Sequence, residues 1–194
     1  MTRAGIDEVG RGPIAGPVIA CALAFRPDAD PILVAMLRDS KTLSRARRCA
    51  LAEYLPEHAY IGLAAASASA IDCLNIRKAT HRAMCQALAR LERLCPTPID
   101  EVIVDGHESP NRADRRLRPL VKADIQIPEV SGAAIVVKVL RDRLMERLDR
   151  RWPGYGWATN AGYPSAAHKA ALQLLGPTPH HRRSFAPVRA LVAL

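Results

Sequence analysis

Asp7 and Glu8 stand side by side, followed at once by Gly10-Arg11-Gly12. A third acid, Asp105, ends the apolar run Glu101–Val104 and precedes Gly106. A fourth, Asp124, lies in the stretch VKADIQIPEVS, whose apolar flanks would partly bury it. Each alone has an ordinary explanation. An acidic pair beside a turn is a solvated strand end, an Asp-Gly pair makes a turn, and an acid at a strand edge faces water. Together they are acids from three separate predicted strands in a chain with excess positive charge. Carboxylates brought together repel and shift one another's pKa unless cations neutralise them. Mg²⁺ suits such a set, because it takes hard oxygen ligands and keeps water positions open for phosphate. Two such ions can hold an attacking water and stabilise a leaving oxygen in phosphodiester cleavage.

The same glycines allow a rival chemistry. Gly10-Arg-Gly12-Pro-Ile-Ala15 fits the dinucleotide-binding pattern, with Asp28 or Asp30 near the offset of a ribose-binding acid. That fingerprint requires a helix to begin at the glycines. Pro17 would cost such a helix about 3 kcal/mol, and the residues after it alternate with period two. The metal-type reading is therefore the stronger.

The chain that must position these groups has 194 residues, enough for one domain with a core of its own. It is 49% apolar, 24% charged and only 4% aromatic, so Ala, Leu, Val and Ile must build the core. Lys and Arg number 28 against 19 Asp and Glu, a net charge of +9. A surface this basic favours an anionic partner such as nucleic acid. Five cysteines, at 21, 49, 73, 85 and 95, show no close pairing. That opposes a disulfide framework and a zinc site, and fits a reducing compartment. The start, MTRAGIDEVG, has no apolar signal core, and no run approaches a membrane span. A cytoplasmic protein with no membrane contact is expected.

The elements follow from periodicity and punctuation. Residues near Ala4–Val9 predict a short strand pairing hairpin-fashion with Val18–Phe25. There Ile19, Cys21, Leu23 and Phe25 alternate with Val18, Ala20, Ala22 and Ala24, a large face and a small one. Ser44 predicts an N-cap for a helix to about Leu55, stopped by Pro56. Tyr60–Ala66 reads as a strand, and Asp72–Leu94 as one helix ended by Pro96 and Pro98. Residues 107–119 read as a polar loop and Val121–Ile127 as a fifth strand. Val136, Val139, Leu140, Leu144 and Leu148 mark a long helix whose Lys138, Arg141, Arg143, Arg147 and Arg150 give it a basic surface. Gly154–Ser165 reads as a loop. Ser165 caps a last clear helix closed by Gly176, and the tail from His180 is expected to pack back on the body. Strands that meander and then alternate with helices imply an α/β layer fold with a mixed sheet.

In GIDEVGRGPIAGPVIACA, DSKTLS (39–44), IDCLNIRKATHRAM (71–84), VIVDG (102–106), the stretch 121–145, PGYGWATNAGYPSAAH (153–168) and HHRRSFAPV (180–188), the chain resembles bacterial ribonuclease HII, the type 2 ribonuclease H family, over essentially its whole length. The resemblance implies a ribonuclease H-like mixed five-stranded sheet flanked by helices, with residues 1–150 as the catalytic α/β core and 151–194 as a C-terminal helical segment. It implies a monomeric endonuclease that cleaves the RNA strand of RNA–DNA hybrids and single ribonucleotides in duplex DNA, leaving 3′-hydroxyl and 5′-phosphate ends, in ribonucleotide removal and genome maintenance. Asp7, Glu8, Asp105 and Asp124 become its catalytic carboxylates, holding Mg²⁺ or Mn²⁺, as a two-metal site with substrate. Gly10, Arg11 and Gly12 would approach the ribonucleotide, with Tyr163 on its sugar. Lys41 would meet a phosphate and Asn75, inside a helix, would lie near the groove. Glycines let backbone N–H groups come close to a sugar and phosphate, and the 2′-hydroxyl separates RNA from DNA. His180, His181, Arg182 and Arg183 are expected as a basic flank near the nucleic-acid backbone, with no catalytic role.

Several positions depart from the family pattern. Ala123 replaces a glycine before the last aspartate, Ala134 a serine, and Leu140 a threonine; Asn160-Ala161 stand where His-Lys is common. The last change removes one possible groove contact. Two other readings are a non-catalytic duplex binder, which the intact carboxylates disfavour, and a different ribonuclease H-like nuclease such as a junction resolvase, which Gly-Arg-Gly with Tyr163 disfavours.

Overall fold

The structure, a computed structural model, describes residues 1–37 and 43–192. Five strands form one mixed sheet: β1 (Arg3–Val9), β2 (Val18–Phe25), β3 (Ala59–Ala66), β4 (Glu101–Asp105) and β5 (Leu117–Leu120), in the order β3-β2-β1-β4-β5. β1 runs antiparallel to β2 and β2 to β3, whereas β4 lies parallel to β1 and β5 parallel to β4. The expected α/β fold with a mixed five-stranded sheet is thus observed.

The two faces of β2 set the layers. Ala20, Ala22 and Ala24 share a buried cluster with Ala83, Met84, Ala87, Leu88 and Leu91 of α4 (Ile76–Leu94). Ile19, Cys21 and Leu23 pack instead with Leu51 and Leu55 of α2 (Arg45–His58) and Ala133, Val136 and Val137 of α5 (Pro128–Arg151). The small face lets α4 come close, and Gly62 on β3 completes that approach. A Cβ there would collide with the Ala87 carbonyl oxygen and the Leu91 amide. Shorter helices complete the chain: α1 (Pro31–Met36), α3 (Ala68–Leu74), α6 (Trp157–Asn160), α7 (Ala166–Leu175) and α8 (Ala186–Val192). Ser44 and Ser165 cap α2 and α7 as expected, accepting from the amides of Arg47 and His168. No helix among the described residues is long and apolar enough to cross a membrane.

Four expectations need correction. The fifth strand is Leu117–Leu120, at the end of the supposed polar loop, not Val121–Ile127. Pro119 is tolerated because β5 is an edge strand. Asp124 accordingly sits on a single 3₁₀ turn, Ala123–Ile125, instead of a strand. The helix expected from Asp72 to Leu94 is broken at Asn75, whose φ of 68° is incompatible with a helix interior. Asn75 is therefore not inside a helix. It ends α3 and caps α4, its Oδ1 accepting from the Lys78 amide at 3.0 Å. Pro56 does not stop α2, which runs on to His58, because a proline in the final turn sacrifices only one ladder bond. Finally, Arg141 is no part of the basic surface of α5: it is 1% exposed.

Candidate active site

The parallel pairing of β1 and β4 brings the first acids together. The last registered pair is Ile6 with Val104, and the next residue on each strand is an aspartate, Asp7 and Asp105. Both lie at the carboxyl ends of parallel strands, where open α/β sheets place ligands. Asp124 arrives from the 3₁₀ turn after β5. The Ala123 amide beside it donates to Asp105 Oδ1 at 2.8 Å, and Ser131 Oγ from α5 donates to the Asp124 carbonyl. Asp7 and Glu8 oppose Cys21 and Ala20, so the pleat holds, but both fall in the last three residues of β1.

Glu8, Asp105 and Asp124 all lie within electrostatic range of Asp7. Burial pushes the Asp7 carboxyl well above its usual range, and the charges of Glu8, Asp105 and Asp124 push it further, against one backbone hydrogen bond from the Glu8 amide at 2.7 Å. Burial also raises Glu8, as does Asp105; Arg11, whose Nη1 lies 3.2 Å from Glu8 Oε1, opposes the rise. The other oxygen, Glu8 Oε2, is buried with no hydrogen-bond partner. The Cys21 thiol opposite Asp7 is likewise driven upward by burial and by that carboxylate. Among the described residues, no three His, Cys, Asp or Glu side chains stand close enough together to hold a metal ion as they are placed. The acids are grouped at electrostatic range, with hard oxygens only.

Beside them lies a second arrangement. Gly12 faces the Tyr163 ring: a Cβ on Gly12 would stand 3.2 Å from Tyr163 Cε1. Tyr163 is 52% exposed, so one face of its ring is open to a ligand. The loop from Gly10 to Pro17 is held from below by two buried arginines. Arg182 donates to the carbonyls of Gly10, Arg11 and Gly16, and Arg141 to those of Ala15, Pro17 and Ala161. Gly10, at φ 94°, leaves room for Arg141, whose Nε a Cβ would strike. The Ile14 amide donates to the Gly162 carbonyl at 2.9 Å, tying this loop to that of Tyr163.

The structure thus brings Glu8, Asp105 and Asp124 within electrostatic range of Asp7, and separately sets Gly12 against Tyr163, with Arg11 paired to Glu8. Asn75 stands at the head of α4, whose Arg77 and His81 line a cleft of about 290 Å³ with Arg11, Asp105, His107 and Glu108. Lys41 lies outside the described residues. The basic flank expected at 180–183 is corrected at two positions. His181 and Arg182 are buried and spend their polar atoms on the protein's interior. Burial lowers Arg182 to about 9, which leaves it charged at neutral pH.

Sequence reasoning missed Arg141 and Arg182 as supports, and His168 altogether. A signal existed for Arg141, which shares a helix face with buried Val137 and Met145 at four-residue spacing. For Arg182 and the two histidines there was none, since a basic tail ordinarily faces water.

The chain matches the family model described as Ribonuclease HII over residues 4–188. A curated relative named Ribonuclease HII, from Cereibacter sphaeroides (strain ATCC 17025 / ATH 2.4.3), is 48% identical over 188 residues, 97% of this chain and 85% of the relative. Among solved structures, the ribonuclease H2 from Pyrococcus horikoshii OT3 aligns with a TM-score of 0.81 at 23% identity, covering 98% of this chain and 97% of that one. The ribonuclease HII of Archaeoglobus fulgidus, solved in complex with PCNA, aligns with a TM-score of 0.78 at 26% identity, covering 96% of each chain.

Proposed function

This chain belongs to the ribonuclease HII family, and we propose on that footing that Asp7, Glu8, Asp105 and Asp124 are its catalytic carboxylates. The protein is a ribonuclease H acting on the RNA strand of RNA–DNA hybrids. Our reading goes further: it is a metal-dependent endonuclease that leaves 3′-hydroxyl and 5′-phosphate ends and also incises at single ribonucleotides in duplex DNA. The observation that carries it is the gathering of four acids where the parallel strands β1 and β4 end.

These residues suit a divalent cation, Mg²⁺ or Mn²⁺. Their donors are hard oxygens, Glu8 Oε2 is buried without a partner, and the charge on Asp7 is opposed by burial and by three neighbouring acids. The open grouping suits Mg²⁺, which binds through a few carboxylates plus substrate phosphates in preference to an all-protein cage. When bound, such cations supply Lewis acidity against the charge that builds on the phosphate oxygens. The remaining work falls to the chain. Arg11 pairs with Glu8 and stands between the acids and the sugar. Gly10 and Gly12 let the backbone reach the ribonucleotide, and Tyr163 closes on the ribose, so that the 2′-hydroxyl fixes which phosphate meets the acids. Lys41 and Asn75 are proposed contacts along the groove, with the +9 charge supplying phosphate neutralisation.

We assign residues 1–150 to the catalytic α/β core and 151–194 to a C-terminal helical segment of the same domain, the protein to a monomeric state, and the compartment to the cytoplasm, the last supported by its five unbridged thiols. The test is cleavage of three duplexes with Mg²⁺ or Mn²⁺: all DNA, one embedded ribonucleotide, and a full hybrid. Incision at the lone ribonucleotide and within the hybrid is expected, with the DNA untouched. Cleavage of all three alike would remove the ribose from the recognition scheme, and cleavage undiminished by EDTA would remove the metal.

A further inference from the structure

Behind Tyr163 lies a chain of hydrogen bonds whose direction can be read link by link. His168 Nδ1 sits 2.8 Å from the Tyr163 carbonyl, which can only accept, so Nδ1 carries the proton. His168 Nε2 is then a bare acceptor, and it receives the Trp157 Nε1 hydrogen at 3.0 Å. The same atom lies 3.1 Å from His181 Nε2. His181 Nδ1 accepts from the Thr178 amide at 3.0 Å, so its proton is on Nε2 and points at His168. Two neutral imidazoles in fixed tautomers therefore connect the tail to the Tyr163 backbone. Tyr155 and Trp157 wall the pair, with ring centroids 5.0 and 5.3 Å from His181. The next residue in the tail, Arg182, holds the carbonyls of Gly10 and Arg11. Both sides of the gap between Gly12 and Tyr163 are thus anchored on two consecutive residues.

We propose that His168 and His181 are positioning residues for Tyr163, fixing its ring against Gly12 so that the gap accepts one ribose in one orientation. The proposal rests on the reading of Tyr163 as the ribose contact. Neither histidine reaches the reacting atoms; both act through the Tyr163 main chain. Specificity for the ribonucleotide is then set partly by the buried tail, about which the exposed surface says nothing.

Two substitutions divide the bonds of His168. His168→Asn keeps a donor near the Nδ1 position for the Tyr163 carbonyl and strands Trp157 and His181. His168→Gln places an amide oxygen near the Nε2 position, keeps those two satisfied, and releases Tyr163. Single-turnover cleavage of a duplex with one ribonucleotide is measured for both, alone and combined with Tyr163→Ala, beside thermal melts. The Asn variant should melt below the Gln variant yet cleave close to the wild-type rate. The Gln variant, the more stable of the two, should cleave about tenfold slower than wild type, a loss of the size expected from slight misplacement of a reacting group. In the Tyr163→Ala background the Gln substitution should add no further loss. If rate instead follows melting temperature, or the Gln variant loses the same factor in both backgrounds, the histidines only hold the fold together. Should Tyr163→Ala alone cleave like wild type, the ribose contact itself fails. Should it be slow while His168→Gln is normal, only the positioning role fails.

Discussion

The carboxylate cluster and the loop clamp lie side by side and are built on opposite principles. In the cluster, acids are gathered close enough to act on one another, so the fold works against itself there: burial and the charges of Glu8, Asp105 and Asp124 all resist the charge on Asp7. In the clamp the buried side chains are matched to partners, with Arg141 as well as Arg182 bonded to main-chain carbonyls. Arg182, fully buried, places its guanidinium on three main-chain carbonyls, and two histidines are kept neutral in matched tautomers. The first region stores the cost that a cation and substrate would relieve. The second supplies the rigidity that lets a cost be stored beside it.

The sharpest way to break this contrast is to remove one acid. Asp105→Asn should lower cleavage at least about hundredfold, since that charge is needed around the proposed cations. Duplex affinity should change little, because it comes chiefly from Lys and Arg on phosphates. Cleavage within about tenfold of wild type in a metal titration would place the chemistry elsewhere.

The clamp should answer in stability. Arg182→Met leaves the Gly10, Arg11 and Gly16 carbonyls unpaired in a buried loop, a loss expected to reach about 3–5 kcal/mol. Denaturant unfolding of the two variants makes the comparison direct, with Asp105→Asn near wild type and Arg182→Met far below it. Equal stability for Arg182→Met and wild type would mean that the loop is held by other means.

Much of this division was legible in the sequence for one region and hidden for the other. The acids announced themselves because Asp-Glu before Gly-Arg-Gly and Asp before Gly interrupt apolar strands, and the faces of β2 could be read from Ile19, Cys21 and Leu23 against Ala20, Ala22 and Ala24. What period and punctuation could not give was Asp124 on a turn: Lys122 takes a left-handed conformation, φ 58°, that no residue type there foretells. Asn75 was misplaced for a similar reason, because apolar spacing continues through a break made by a single dihedral. Arg182, His168 and His181 stayed hidden because their burial depends on partners brought from the far end of the chain. His181, for example, meets His168 only once α7 and the tail have packed against Trp157.

Acid separates the two regions by sign. Burial lowers both histidines, His181 to about 4 from an ordinary value near 6.5. Above pH about 6.5 folded and unfolded chains are both neutral at His181, and its contribution is complete. As pH falls toward 4 the unfolded chain takes a proton that the folded one refuses, so stability is lost, by about 2–3 kcal/mol in all. Asp7 works the other way, its raised pKa letting the folded chain take a proton first. His181→Gln isolates the histidine, since the carboxylates are common to both proteins. In EDTA, the stability gap between wild type and His181→Gln should narrow by about that amount between pH 7.5 and 4. A constant gap would show that His181 protonates as easily in the fold as out of it.

The smallest effect expected concerns the loop that carries Tyr163. Ala161, just ahead of Gly162 and Tyr163, sits at φ 49°, a left-handed conformation that strains a residue with a Cβ. Its carbonyl accepts from Arg141 Nη1 at 2.9 Å and its amide donates to the Trp157 carbonyl at 3.0 Å, so surrounding bonds hold the conformation in place. Ala161→Gly removes the strain and keeps both bonds, but glycine gives up more freedom on folding and returns part of the gain. The net effect should be stabilisation of about 0.5–1 kcal/mol, a rise in Tm of about 1–4 °C for a chain of this size. Cleavage of the single-ribonucleotide duplex should stay at the wild-type rate, because Tyr163 remains tied by His168, by the Asn160 carbonyl and by the Ser165 amide. A faster-melting protein would mean that the left-handed turn at Ala161 carries no strain. A more stable but slower one would show that the alanine itself stiffens the ribose gap, adding a third support to the clamp.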